Sequence, residues 1–322
     1  MRVLSDDDVG DLLDLDELLP TIERAFRKQG RGEVERPERP HFPVGTGIEG
    51  DEPLGTGLTM PAYVHGDDHY ATKLASVHEG NAERGLPTVQ AQIAVTDART
   101  GAPTALLAGT RITNARTGCI GGLAADWLAV GDGPVTLGIV GAGTQARWQA
   151  RAIAAARGVD SARIYSPSDS RAACAADLRA EGIDAEAVDS ARAAVADADV
   201  VVTATTATEP VFPGDALAPG TLVVAVGAYT AEMRELDAVT VSRAARLFAD
   251  VPEEAAKTGD FPDHDEPAFT PLSAVFEGES GRESATEILV VASVGSAVLD
   301  AAAATALVER ARAENVGSES GL

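Results

Sequence analysis

The residues best suited to chemistry begin at Gly141. The run Gly141-Ala142-Gly143-Thr144-Gln145-Ala146 has the spacing G-x-G-x-x-G/A. It follows the strand-like "VTLGIV" and opens the helix-like "TQARWQARAIAAARG". In that setting Gly141 permits a tight turn, Gly143 lets backbone amides approach a pyrophosphate, and Ala146 lets helix and strand pack closely. The spacing alone is weak, because an ordinary turn can carry it. The clean strand before it and helix after it raise nucleotide binding above that reading. An NAD site expects an acid at the end of the second strand, to accept from the ribose hydroxyls. Ser166 stands there, in "YSPSDSR", with Ser168 and Arg171 nearby. These three favour a 2'-phosphate and hence lean towards NADP, against the plainer view of Arg171 as a solvated helix residue.

A second group is cationic. Lys73 lies in "ATKLAS" and is one of three lysines, with Lys28 and Lys257. Strand alternation puts Ala71, Lys73 and Ala75 on one face and predicts an inward ammonium. Arg111 and Arg116 stand beside two threonines in "RITNARTG", and Arg39 lies in "RPERP". Most arginines of an acidic chain simply pair with surface carboxylates. A buried lysine and arginine that converge would instead clamp a carboxylate, the arginine through two parallel hydrogen bonds. The histidines are His41, His65, His69, His78 and His264. The Gly-Asp-Asp centre of "HGDDH" reads as a turn, so no metal site is expected. Cys119 and Cys174 cannot build a disulfide framework or a cysteine metal site, which predicts a reducing, cytoplasmic setting. No Gly-x-Ser-x-Gly elbow is present.

The elements that must position these groups fall into two rhythms. Ser5 is placed to cap a helix through "DDVGDLLDLDELLPTIERAFRKQG", which Pro20 is expected to split. Loops should dominate from Val34 to Gly57. Then "GLTMPAYV", "HYATKLASV", "TVQAQIAVTDA" and "PTALLAG" read as strands without intervening helices, an antiparallel or mixed sheet. "TNARTGCIGGLAADWLA" reads as a helix leading to the Gly131–Pro134 turn. From Val135 strands and helices alternate through "ARIYS", "SRAACAADLRAEG", "DADVVVTAT", "GTLVVAVGA", "ARLFADV" and "TEILVVASV". That alternation predicts an α/β fold with a doubly wound parallel sheet. The final helix, "GSAVLDAAAATALVERARAEN", lies beyond the last strand and is expected to pack back on the first part of the chain.

With 322 residues, 45% of them hydrophobic, the chain can bury a full core in one large or two ordinary domains. Its net charge of -24 argues against nucleic acid and anionic membranes as partners. Acids in such excess, with so few lysines, point to a halophilic setting where salt screens the self-repulsion. The opening "MRVLSDDDVGDLLDLDELL" lacks the apolar core of a signal peptide, and no run of about 18 apolar residues exists to span a membrane.

Over nearly its whole length the sequence resembles the ornithine cyclodeaminase/μ-crystallin family. The matching pieces, in order, are "RPERP", "TMPAY", "ATKLASVHEGNAERGLPTVQAQIAVTDARTGAPTALLAGTRITNARTG", "GIVGAGTQA", "DADVVVTAT", "AVGAYTAEMRELD" and "SVGSAVLD". The resemblance implies a Rossmann-type NAD(P)-binding domain, 119–296, inserted in a discontinuous α+β substrate and dimerisation domain, 1–118 with 297–322. It implies that Arg39, Lys73 and Arg116 hold a substrate α-carboxylate, with Lys73 and Arg116 in the catalytic role. Thr88 and Thr113 would lie near the nicotinamide, and Gly141, Gly143, Thr144 and Gln145 at the pyrophosphate. Thr205, Gly227 and Ser293, in later matching pieces, complete the cofactor set. The implied chemistry is hydride exchange at the α-carbon of an amino acid, in a cytoplasmic homodimer.

Two departures bear on the substrate. Ornithine cyclodeaminases carry an aspartate where this chain aligns Tyr229, a substrate-binding candidate here, and an acid where it has Leu58 or Thr59. A buried ammonium facing those residues would lack its counter-charge, a penalty of about several kcal/mol. The resemblance therefore favours an alanine dehydrogenase or a ketimine/pyrroline-2-carboxylate reductase. Ornithine cyclodeaminase is the alternative, with Glu232 and Asp237 as candidates for the amine. A ligand-binding protein like μ-crystallin itself is the reading from a different class.

Overall fold

Two strand patterns in the sequence give two kinds of sheet. The computed structural model describes residues 1–262 and 268–321. The chain divides into two units, Met1–Arg116 with Ser296–Leu322, and Thr117–Gly295.

The chain opens with β1 (Arg2–Leu4), α1 (Asp6–Leu12) and α2 (Leu15–Gly30). Ser5 caps α1 in a reciprocal capping box: its hydroxyl accepts from the Asp8 amide, and the Asp8 carboxylate accepts from the Ser5 amide at 2.8 Å. The break between the two helices falls at Asp14, which caps α2, and not at Pro20. Pro20 lies inside α2 on an exposed side of the helix; Asp16, whose carbonyl its missing N–H would have served, is an exposed residue as well.

Then come β2 (Val34–Glu35), β3 (His41–Val44), β4 (Gly55–Val64), β5 (His69–Val77), β6 (Val89–Asp97) and β7 (Pro103–Ala108). The short β2 and β3 lie where loops are expected; both pair with β4. The chain passes to the second unit within α3 (Gly109–Leu128). There it forms β8 (Val135–Val140), α4 (Thr144–Arg157), β9 (Val159–Tyr165), α5 (Ser170–Ala180), β10 (Ala185–Ala187), α6 (Ala191–Val195) and β11 (Val200–Thr203). It continues with β12 (Leu222–Ala225), α7 (Ala238–Arg243), β13 (Ala244–Ala249), α8 (Pro252–Ala255), β14 (Phe269–Pro271), α9 (Leu272–Phe276) and β15 (Ile288–Ala292). It returns to the first unit with α10 (Ala297–Glu314) and β16 (Ser318–Glu319).

In the first unit the sheet order is β16-β1-β7-β6-β5-β4-β2, with β3 also on β4. All pairs are antiparallel except β1 with β7. Alternation in β5 buries His69, Ala71 and Lys73 and exposes Tyr70 and Leu74. No helices intervene between these strands, and α10, the final helix expected to pack back on this part of the chain, lies along β4, β5 and β6 on one face. The covering helix comes from the far end of the chain. It is apolar on nearly all sides, as a buried helix is, and Ala301–Ala304 let it approach the strands closely.

In the second unit β8, β11, β12 and β15 are continuous buried runs, as strands covered on both faces must be. All eight strands are parallel, in the order β10-β9-β8-β11-β12-β15-β13-β14. This is a Rossmann-type doubly wound sheet. The chain order reverses between β8 and β11, and ligands of such sheets bind beyond the carboxyl ends of strands at that point.

Candidate active site

In the first unit Lys73 on β5, Arg116 on α3 and Asp300 on α10 meet in the interior. Lys73 Nζ donates to Asp300 Oδ2 at 2.6 Å, and Arg116 Nε donates to Oδ1 at 2.9 Å. The three residues are 3%, 4% and 1% exposed. Met60 and Ile93 flank Lys73 across the ladder, so apolar side chains wall its stem. Asp300 lies in the first turn of α10, where the helix dipole favours a carboxylate. Arg116 Nη1 is buried and makes no hydrogen bond. Two cations on one carboxylate leave a net positive charge, with an unused arginine N–H aimed into the interior.

Burial pushes the Lys73 ammonium down to about 8, and Arg116 and Arg39 push the same way; Asp300 opposes them by charge and hydrogen bond. Burial raises the Asp300 carboxyl, but Arg116 and Lys73 together hold it below the ordinary aspartate value. Arg39, between β2 and β3, is half-buried and acts on Lys73 through its charge. Thr113 stands one turn before Arg116 on α3, and Thr88 is half-buried just before β6. Arg111 takes the common fate of an arginine in an acidic chain, pairing with Asp6 at 2.6 Å.

Asp300 is the residue that sequence reasoning missed. Its signals are an aspartate inside the otherwise apolar "AVLDAAAATALV" and its place at the end of the matching piece "SVGSAVLD". Such a buried acid must find partners, yet Lys73 and Arg116 lie 227 and 184 residues away.

In the second unit Gly141 has φ +113°, and a Cβ there would lie 2.4 Å from the Ala204 carbonyl oxygen. Only glycine fits this approach of β8 to β11. Gly143 caps α4 without a side chain; it and Thr144 are exposed, which leaves the first amides of α4 open to an anion. Ala146 is fully buried, as close helix–strand packing requires. Gln145 stands beside Thr144 in the first turn of α4. These features fit a dinucleotide.

At the end of β9 the Ser166, Ser168 and Ser170 hydroxyls cluster, 2.6 to 3.3 Å apart. Arg171 turns back onto the Ser166 carbonyl at 2.9 Å, and its other amino group approaches Asp189 at 3.6 Å.

Thr205, Gly227 and Ser293 follow β11, β12 and β15. The first two are tied by Glu235, a fully buried acid that the motifs did not single out. Its carboxylate accepts from the Thr203 hydroxyl (2.8 Å), the Thr205 amide and hydroxyl (2.7 and 2.9 Å) and the Gly227 amide (2.8 Å). Burial and the neighbouring Asp260 raise Glu235 to about 7, although those hydrogen bonds favour its charged form. Ser293 donates to Asp250 at 2.9 Å, which also accepts from the Val294 and Gly295 amides. Tyr229 is exposed on the loop after β12. Of the acids considered for an amine, Glu232 is exposed. Asp237 is engaged in capping: it accepts from Thr240 and from the Gly214 amide.

The acids of "HGDDH" pair with surface cations, Asp67 with Lys28 and Asp68 with Arg99, and His65 bonds to Glu35. His264 lies outside the described residues. Among the described residues no three His, Cys, Asp or Glu could hold a metal ion, and no helix is long and apolar enough to cross a membrane.

The model of the ornithine cyclodeaminase/mu-crystallin family matches residues 1–315. The chain belongs to this family. It is 33% identical over 293 residues to a Delta(1)-pyrroline-2-carboxylate reductase of Bacillus cereus, covering 87% of this chain and 89% of that one. Among solved structures it resembles the Thermococcus litoralis Delta(1)-pyrroline-2-carboxylate reductase in complex with NADH and L-proline. The TM-score is 0.93 and the identity 34%, over 99% of this chain and 100% of that one. It also resembles an archaeal alanine dehydrogenase dimer with bound NAD, at a TM-score of 0.90 and 28% identity, over 99% and 98% of the two chains. On β4, Leu58 pairs with His41 and Ala75, and Thr59 with Leu74; neither position carries an acid.

Proposed function

We propose that this protein is an NAD(P)-dependent oxidoreductase that exchanges hydride at the α-carbon of an amino acid or its imine, of the pyrroline-2-carboxylate reductase or alanine dehydrogenase type. One observation carries the reading: Lys73 and Arg116 are buried together on a single carboxylate, with Arg116 Nη1 left over. Such a pair suits an α-carboxylate, which would otherwise be costly to take out of water. The relatives' substrates, proline-like and alanine-like, share that group.

The first unit would hold the substrate. Arg116 would offer its remaining amino edge to the carboxylate, and Arg39 would add charge. Lys73, an ammonium that burial pushes down to about 8, is suited to give a proton to an imine nitrogen and take it back in reverse. The second unit would hold the cofactor, its pyrophosphate at Gly141, Gly143, Thr144 and Gln145. Bound there, the nicotinamide supplies or accepts the hydride. Thr205, Gly227 and Ser293 are the further cofactor candidates of the second unit, Thr88 and Thr113 are those of the first, and Tyr229 is the candidate for the substrate side chain. The missing acids at Leu58, Thr59 and Tyr229 argue against a diamine substrate. A cofactor-linked screen at high salt tests the reading with pyrroline-2-carboxylate, piperideine-2-carboxylate, pyruvate plus ammonia, alanine and ornithine. Oxidation of reduced cofactor by a 2-imino acid supports it; turnover of ornithine alone would replace it.

The cofactor is proposed to be NADP(H) in modest preference to NAD(H), although the relatives carry NADH and NAD. Ser166, Ser168 and Arg171 offer donors at the end of β9, and Ser166 stands where an NAD site expects an acid; Asp169 and Asp189 nearby weigh against the extra phosphate. A homodimer is also proposed. The face of the first sheet opposite α10 leaves Tyr70 and Leu74 exposed, a surface that pairing would cover. Sedimentation showing only a 33 kDa species would count against it. The acidic surface suits a cytoplasm of high salt. The melting temperature should therefore rise with added KCl, and a fall would contradict that setting.

A further inference from the structure

We propose that Asp300 is the positioning residue of this site: it fixes Lys73 and one edge of Arg116 and keeps Lys73 an ammonium, so that the other arginine edge and a lysine proton are left for the substrate. The inference rests on reading Lys73 and Arg116 as the substrate site.

The geometry comes first. Each Asp300 oxygen is engaged by a different cation, Oδ2 by Lys73 and Oδ1 by Arg116 Nε. That fixes the guanidinium from its Nε side and leaves Nη1 buried without a partner. An ammonium has three donors, so one bond to Asp300 leaves two for a ligand.

Charge comes second. The groups acting on Lys73 are Asp300 from α10, Arg116 from α3 and Arg39 from the segment before β3; Met60 and Ile93 beside it are apolar. Burial and both arginines disfavour the ammonium, and Asp300, by charge and hydrogen bond, favours it. Without that carboxylate the lysine would be largely a neutral amine near pH 7, unable to donate a proton.

The reductive step needs that proton. As hydride from the reduced cofactor forms a bond to the imine carbon, the C=N double bond becomes single and its electron pair falls on nitrogen. A Lys73 N–H bond breaks, a substrate N–H bond forms, and the neutral lysine stays hydrogen-bonded to Asp300 until water reprotonates it.

The three lysines make this directly readable. Labelling with [ε-13C]lysine gives three signals, and Lys73→Arg assigns the one of interest. Titrations of the full-length wild type, Asp300→Asn, Asp300→Ser and Asp300→Glu are compared. The expected result is a Lys73 signal that titrates about one pH unit or more lower in the Asn and Ser variants and close to wild type in the Glu variant. The alkaline limb of kcat/KM for imine reduction should move with it, and Asp300→Glu should recover part of the activity. A purely structural ion pair would lower activity at every pH without moving the limb. An unmoved Lys73 titration in either neutral variant overturns the proposal. So does a wild-type Lys73 that is already neutral below pH 7, whether or not the variants fold. The labelled titration needs no turnover, so loss of the functional reading and loss of this one are separate outcomes.

Discussion

Asp300 in the first unit and Glu235 in the second are both fully buried acids, yet they are held in different ways. Asp300 lies between two cations, which hold it ionised and below its ordinary value. Among the described residues, the hydrogen-bond partners of Glu235 include no cation. It is met by two hydroxyls and two amides, with Asp260 adding repulsion, and burial raises it to about 7. The difference teaches what each site is suited to. A cluster with surplus positive charge suits an anion that arrives and leaves, the role proposed for it. A cluster of neutral donors around one acid is built to hold loops, and the loops it holds carry Thr205 and Gly227.

The largest expected effect falls on the first cluster. Lys73→Met and Arg116→Leu should each lower kcat/KM by about thirtyfold to several thousandfold, since losing one partner of a desolvated charged contact costs about 2–5 kcal/mol. The Kd for the cofactor should not change. Near-normal turnover in both variants would break the comparison at its first term.

Next is the second cluster. Glu235→Gln places an amide N–H2 among four donors and leaves part of them without an acceptor, at roughly 1–3 kcal/mol. Cofactor binding should weaken about tenfold, as that energy implies, while binding of a carboxylate ligand by the first unit is retained.

The two regions should also differ in pH dependence, and the signs can be worked out. Glu235 sits at about 7 folded against 4.5 unfolded, so the folded state holds the extra proton between those values. Its contribution to stability is therefore lost as pH rises from 4.5 to 7, at about 1.4 kcal/mol per unit at most. Lys73 sits at about 8 folded against 10.5 unfolded, so the unfolded state holds the extra proton and stability rises between pH 8 and 10.5. Urea unfolding across both windows checks this. Glu235→Gln should flatten only the lower window and Lys73→Met only the upper one. A wild-type profile with neither slope would contradict both assignments.

The smallest effect concerns cofactor choice. Ser166→Asp should shift the NADP(H) to NAD(H) affinity ratio several-fold towards NAD(H), and Arg171→Ala should weaken NADP(H) alone. Tighter NAD(H) binding by the wild type, with both affinities unchanged in Arg171→Ala, would refute the reading of the serine cluster.

How much of this was legible depended on distance along the chain. The glycine turn could be read because strand, turn and helix are contiguous, and the steric reason for Gly141 lies in its own strand's neighbour. The inward face of Lys73 could be read because alternation is local to β5. The partner that Lys73 and Arg116 share could not, because Asp300 reaches them only when α10 returns from the other end of the chain. The same return covers a sheet whose own strands have no helices between them. Pro20 misled for a different reason: it and Asp16, the residue four before it, both lie on the exposed side of α2. Asp237 drew attention as a candidate for a substrate amine but caps α7, while Glu235, two residues before it, is fully buried.

The most direct test of the central claim, hydride exchange at a carboxylate-bearing α-carbon, follows the hydrogen itself. Purified protein at high salt is given pyrroline-2-carboxylate with NADPH, and in parallel NADH, deuterated at the transferable C4 position. The account predicts proline carrying one deuterium at Cα, formed in step with cofactor oxidation, and its loss in Lys73→Met. Proline without Cα deuterium, or no reduction of any 2-imino acid while ornithine yields proline and ammonia, would contradict it.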